Sequence, residues 1–227
     1  MLKLNSIISR RKDLDLAAFS QHWRTVHREL ALRLVAPGIM RGYVQNHRQE
    51  EGLEDLPIVG DGVPELWVTM AEDIIRLGTC PEYMEGAYLD EPNYMEGRAE
   101  NVISELTLIA GPQDRKAAAG LPKLMLFTKR HEGVNDADFA AWCDAPRPLL
   151  MPDASPVRLE RQLAVAKLPE GLTSAYDMVE CSWWPDMEAL RAAWKARNTA
   201  SAARFIDVGA LAGLVVREEP VLWPEYL

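Results

Sequence analysis

The sequence predicts an α+β chain made of two ferredoxin-like repeats, each running β-α-β-β-α-β. Three observations predict it. The same order of strand-like and helix-like stretches occurs on both sides of a Gly/Pro-containing polar segment at 110–120. The two halves begin alike, with Lys3 and Lys123, Leu4 and Leu124, Asp15 and Asn135, and Phe19 and Phe139 all 120 positions apart. A hydrophobic content of 48% over 227 residues is ample for folded cores.

In the first half, residues 4–9 alternate and end in a charged turn, which reads as a strand. Asp15 is placed as a helix N-cap, and the helix runs to Val35 because Pro37-Gly38 stops it. Residues 39–47 and 65–70 read as strands, 71–77 as a helix, 81–98 as irregular or helical, and 102–109 as the fourth strand. A domain at 1–112, a linker at 113–121 and a second domain at 122–227 follow. In the second domain, strands are expected at 123–128, 157–166, 176–182 and 214–218, and helices at 136–143 and 186–197.

Composition removes several function classes. The formal charge of -9, from 34 acidic and 25 basic residues, disfavours nucleic acid and anionic membrane surfaces as partners. Cys80, Cys143 and Cys181 are scattered and odd in number, as in a reduced protein, so a cytoplasmic location is expected. The apolar part of the N-terminus is too short for a signal peptide, and no stretch approaches the ~20 apolar residues of a membrane span. No nucleotide-binding glycine motif follows a strand, and no cofactor is expected.

The segment Phe19-Ser20-Gln21-His22-Trp23-Arg24-Thr25-Val26-His27 is the densest in chemistry. On a helix of 3.6 residues per turn, Phe19, Trp23, Val26, Leu30 and Leu34 share an arc of roughly 80° that packs on the sheet. His27 lies about 55° from its centre and borders the buried face, whereas His22 lies farther out on the opposite side. Histidine is the side chain suited to proton transfer near neutral pH. The pair stands about 140° apart on such a helix, too divergent to share a metal ion easily with His47, so no metal site is expected. In the next strand, alternation groups Arg41, Tyr43, Gln45 and His47 on one face, an expensive set to bury without partners or a ligand.

The pattern formed by Phe19, His22, Trp23, His27 and Leu30, then Gly42 to His47, then Asp61 to Val68, resembles the EthD family of dimeric α+β barrels. The stretch Leu89-Asp90-Glu91-Pro92-Asn93-Tyr94 resembles that family's acidic motif. The resemblance implies a small-molecule pocket between sheet and helices, touched by His27, Tyr43, Asn46, His47, Glu65 and Trp67. It also implies a barrel, here built within one chain by the two repeats. Relatives in the wider superfamily bind haem through a histidine, but the motif positions here single out no such ligand.

Where the first half has its histidines, the second has Trp142 to Arg147 and none, so it reads as a built-in partner; Arg158 or Arg161 could meet a substrate carboxylate there. The expected activity is cofactor-independent acid–base chemistry on a small aromatic or polyketide-like compound, as a lyase (decarboxylase) or isomerase. His27, Tyr43 and His47 are the expected catalytic residues, and Trp23, Arg41, Asn46, Glu65 and Trp67 the expected substrate contacts. A cofactor-free monooxygenase and a non-catalytic binding protein are the alternatives. A homodimer through apolar residues at 221–227 is a further expectation.

Overall fold

The structure, a computed structural model, describes residues 1–224. Eight strands form a closed antiparallel barrel: β1 (Leu2–Arg10), β2 (Gly42–Arg48), β3 (Gly62–Val68), β4 (Met95–Ala110), β5 (Lys123–Thr128), β6 (Arg158–Ala164), β7 (Met178–Trp183) and β8 (Ala212–Leu222). Their order around the barrel is β1-β3-β2-β8-β5-β7-β6-β4. The first four strands stand in the order β4-β1-β3-β2 and the last four in the matching order β8-β5-β7-β6, joined where β2 pairs β8 and β4 pairs β6. Closure leaves no strand edge unpaired.

Helices cover the outside. In the first half these are α1 (Leu16–His22), α2 (Arg28–Ala31), α3 (Ala71–Leu77) and α4 (Tyr88–Tyr94). In the second they are α5 (Asp136–Cys143), α6 (Met187–Lys195) and α7 (Thr199–Ala202). The caps are local chemistry: Asp15 accepts from the Ala18 N–H, Asn135 from that of Asp138 and Asp186 from that of Ala189. Two π-helical turns, Trp23–His27 and Tyr83–Ala87, interrupt the first-half helices. Among the described residues no helix is long and apolar enough to cross a membrane.

The barrel has two kinds of filling. At one level lie Ile7, Val63, Val102, Met125, Phe127, Val179, Leu214 and Val216. At the end where Lys3 and Lys123 enter, the filling is polar: Lys3, Asn5, Asn46, Glu65, Ser104, Lys123, Arg158, Glu160, Gln162 and Glu218 are all buried. The segment 113–121, expected as a linker, reaches into this end. Its 3₁₀ turn Arg115–Ala118 is held by an Asp114 cap, and both Arg115 and Ala118 are fully buried.

Arg115 Nη2 donates to Glu65 and, at 2.7 Å, to Glu218. Lys123 Nζ reaches Glu65 at 3.0 Å and donates to Asn46 at 2.8 Å, while Lys3 Nζ stands 2.6 Å from Glu65. Burial alone would raise Glu65, but Arg115, Lys123 and Lys3 hold its carboxyl well below the usual range. Glu160 is lowered in the same way, against its burial, by Arg115, Lys3 and Arg158.

The second-half arginines have structural work. Arg161 donates to Glu180 at 2.8 Å and to the carbonyls of Cys143, Ala145 and Arg147, satisfying the end of α5. Arg158 bonds Glu160 and the carbonyl of Pro112. Neither is free for a substrate carboxylate. Val221 and Leu222 pack against the cluster of Leu34, Met40 and Tyr43, and residues 225–227 of the expected dimer segment lie outside the described residues.

Two outcomes test this core. Arg115→Met leaves Glu65 and Glu218 short of a partner and lowers unfolding stability by about 3–5 kcal/mol in urea titrations; a loss below about 1 kcal/mol contradicts the role. Because Glu65 and Glu160 have depressed folded values, their contribution is complete above the ordinary carboxylate value and is lost as pH falls through the depressed ones. Urea stability of the wild type therefore falls on acidification below about pH 4.5, and Glu65→Gln flattens that fall.

Candidate functional site

The site is built on the π-helical turn. In it the Arg28 N–H reaches back five residues to the Trp23 carbonyl, one residue more than in an α-helix. That extra residue changes which side chains share a face. Val26, expected in the packed stripe, is 47% exposed, and His27 takes the buried place instead. Residues five apart, which an α-helix separates, come together. His22 Nε2 lies 2.8 Å from one oxygen of Asp90, and His27 Nδ1 lies 3.1 Å from the other.

Asp90 sits on α4 and also accepts from Asn93 at 3.1 Å. Its burial would raise the carboxyl, yet the hydrogen bonds from His27, Asn93 and His22 bring it down to about 2. It is thus an anion at any working pH, facing two imidazoles. Tyr94 packs on both rings, with centroids 5.4 Å from His22 and 4.8 Å from His27. Next to Asp90, Glu91 is raised by its burial and accepts from the Tyr83 hydroxyl at 2.6 Å.

With Nδ1 against the carboxylate, His27 carries its ring proton on that side and presents Nε2 as a base. Nε2 has no hydrogen-bond partner among the described residues, and the side chain keeps 10% exposure. His22 is 26% exposed at the rim. Asp90 belongs to the acidic motif visible in the sequence, yet spacing alone gives it no role. The signal that could have found it is the i, i+5 histidine pair, which shares a face only in a π-turn.

Tyr43 and His47 do face this helix, as the alternation of β2 predicts. The Tyr43 hydroxyl accepts from Trp23 Nε1 at 3.0 Å and from Gln45 at 2.9 Å. Burial pushes its phenol up to about 12, so it is neutral. His47 is buried, which lowers it to about 4 and leaves it uncharged. Its Nε2 lies 3.1 Å from Gln45 Oε1, and its Nδ1 is unpaired.

Trp23, expected as a substrate contact, is instead core. It is fully buried, with its ring 4.5 Å from His47 and 5.7 Å from Phe19. Gly62 makes this packing fit, because a Cβ there would lie 2.5 Å from the Trp23 ring.

The remaining expected contacts are elsewhere. Asn46, Glu65 and Trp67 project to the opposite face of their strands, into the barrel, where they meet Lys123, Arg115 and Lys3. The physical reason is strand alternation: Asn46 follows Gln45 and precedes His47, so it must point the other way. Arg41 is exposed and bonds Thr69 at 3.3 Å, outside the cluster.

Haem, which the sequence resemblance raised, would need a histidine with a free ring nitrogen and space beside it. His47 is packed under Trp23, and His131 bonds the Glu132 carbonyl in an exposed turn, whereas the Asp90 contacts of His22 and His27 each engage one ring nitrogen, as carboxylates do for metal-ligating histidines too. In the second half, the space between helices and sheet is filled by Phe139, Leu150, Trp184, Leu190 and Trp194. Among the described residues no three His, Cys, Asp or Glu side chains converge to hold a metal ion.

Comparison with known proteins fits this picture in part. No curated protein matches the chain. Among solved structures, the chain is similar to a candidate chlorite dismutase, TA0507, at 11% identity and a TM-score of 0.52, covering 97% of this chain and 96% of that one. It is similar to a variant chlorite dismutase from Candidatus Nitrospira defluvii at 10% identity, with 97% and 92% covered and a TM-score of 0.52. A candidate monooxygenase from Fusobacterium nucleatum is 8% identical, with 96% and 91% covered and a TM-score of 0.51.

At such identities the shared property is the fold. The expected lyase, decarboxylase or isomerase is nonetheless corrected, since these three structures, similar in fold across nearly the whole chain, carry the names chlorite dismutase and monooxygenase. The physical reason for the miss is that a proton-transfer site of this kind serves lyase, isomerase and oxygenase chemistry alike. The EthD domain model matches residues 11–98, the stretch that holds both histidines and Asp90.

Proposed function

We propose that this chain is a monooxygenase working without a bound cofactor on a small aromatic or polyketide-like compound. The observation that carries the reading is the Asp90-bound His27, whose Nε2 is left as a free base at the edge of a buried aromatic cluster. The fold shared with a candidate monooxygenase supports it.

His27 Nε2 removes a proton from an acidic phenol or activated CH₂ group, and Asp90 stabilises the imidazolium that forms. The electron-rich substrate anion reduces O₂ and combines with it to give a hydroperoxide. Loss of water, with the proton returned from His27, leaves a carbonyl. The sum is CH₂ plus O₂ giving C=O plus H₂O, with all electrons coming from the substrate. Tyr43, a neutral phenol that already accepts two hydrogen bonds, is suited to donate its own proton to a developing oxyanion. Val26, Met84, Tyr88 and Leu89 are exposed apolar side chains on the histidine turn and on the segment 83–94, an apolar approach for a ring.

Two ferredoxin-like repeats, 1–112 and 122–227, belong to the same reading, supported by the matching strand orders of the two halves. So does one proton-transfer site per chain, since the second half keeps no histidine on its first helix. Three unpaired thiols suit a cytoplasmic location.

With an electron-rich phenol or polyketide-like substrate, an oxygen electrode is expected to register one O₂ consumed per turnover; product formation under strict anaerobiosis contradicts the oxygenase reading. His27→Ala is expected to lower kcat by 10²-fold or more, and a loss within about threefold removes its role as base. Asp90→Asn keeps the shape but not the charge and is expected to cost about 10- to 100-fold; wild-type kcat in this variant would show that the carboxylate only packs.

A further inference from the structure

The polar end of the barrel takes no part in the histidine site and carries an imbalance. Four cationic side chains, Lys3, Arg115, Lys123 and Arg158, face three carboxylates, Glu65, Glu160 and Glu218, and every one is at most 3% exposed. One positive charge is left over. Donors are in excess too. Arg115 Nε and Nη1, Trp67 Nε1 and Trp183 Nε1 are buried without a hydrogen-bond partner among the described residues, while Lys3 Nζ spends one of its three N–H groups on Glu65 at 2.6 Å. Against these four stand three unpaired acceptors in the same space, Asn5 Oδ1, Glu160 Oε2 and Glu218 Oε1.

The unpaired donors are close together. Lys3 Nζ lies 4.6 Å from the Trp67 ring centre, and the Arg115 guanidinium lies 5.4 Å from Trp67 and 4.9 Å from Trp183. Lys123 Nζ lies 4.6 Å from Trp183. Glu160 Oε2 is just beyond hydrogen-bond reach, 3.5 Å from Lys3 and 3.6 Å from Arg115.

An unpaired buried charge costs several kcal/mol, and buried N–H groups without acceptors add to that cost. Bridging water can serve the three acceptors, but it brings donors and acceptors in equal number and no charge. A monovalent anion supplies acceptors only and cancels the excess. We propose that the barrel interior binds one small monovalent anion, of halide or formate size, among the unpaired N–H groups of Arg115, Trp67 and Trp183. The inference is independent of the oxygenase reading.

Crystals of the wild-type chain grown in sodium bromide and measured at the bromine edge test it directly. An anomalous peak inside the barrel within about 3.5 Å of an Arg115 nitrogen and an indole nitrogen is expected. In halide-free crystals grown with formate, planar density at the same place supports the site with a carboxylate occupant. An interior that resolves only bridging waters in both crystals overturns it.

In solution, exchanging methanesulfonate for bromide at fixed ionic strength is expected to raise the melting temperature of the wild type. The rise should be larger for Glu218→Gln, which leaves two excess charges, and absent for Lys123→Met, which leaves none. If Lys123→Met does not fold, the Glu218→Gln comparison and the crystals decide. Equal melting temperatures in the two salts for wild type and Glu218→Gln contradict the proposal.

Discussion

The fold depends on a knot of charge inside the barrel, with Arg115 at its centre. Glu65 comes from β3, Glu218 from β8, Glu160 from β6, Lys3 from β1 and Lys123 from β5, so both halves of the chain meet there. Arg115 itself comes from the segment joining them. Such a cluster contributes little net stability compared with a well-packed apolar core, since the desolvation of each ion offsets most of its pairing. What it gives is specificity, because any slip of one half against the other would strand a buried charge. Nearly the whole sheet is thereby fixed in one register, and the outer face of β2 is presented to the histidine helix in a defined way.

On that outer face the decisive element is a single extra residue in a helical turn. The π-turn Trp23–His27 moves Val26 outward, His27 inward, and brings His22 round to the same carboxylate. Trp23, locked over Gly62 and His47, anchors the turn on the sheet. Tyr94 then closes the other side of the imidazoles. The arrangement joins a rigid support, a fixed tautomer and a free basic nitrogen, which is what general-base chemistry requires of a histidine.

Much of this was legible in the sequence. Asp15 caps its helix as cap chemistry places it, Ala71–Leu77 and Lys123–Thr128 match their expected spans, and the alternation of β2 groups Tyr43 with His47. Three features were not legible, each for a physical reason. An α-helix and a helix with one π-turn have the same composition, so the 3.6-residue period set His22 apart from His27. Alternation sets Asn46 opposite Tyr43 and His47, but both faces of β2 are buried, one under helices and one in the barrel, so polarity could not tell which face lines the site. Arg115 looked like part of a solvated linker because its partners Glu65 and Glu218 are 50 and 103 residues away. The reaction class was the largest miss, since proton transfer to a histidine is common to lyases, isomerases and cofactor-free oxygenases.

The central claim is the ionic and tautomeric state of the His22–Asp90–His27 group, and it can be read without substrate. Long-range ¹H–¹⁵N correlation spectra of imidazole-labelled protein at neutral pH report which ring nitrogen of each histidine is protonated. The account predicts His27 with its proton on Nδ1 and a bare Nε2, and predicts that Asp90→Asn changes the Nδ1 signals of His27 and the Nε2 signals of His22 together. A His27 protonated on Nε2 alone, or signals of both histidines that ignore the loss of the Asp90 charge, would contradict it.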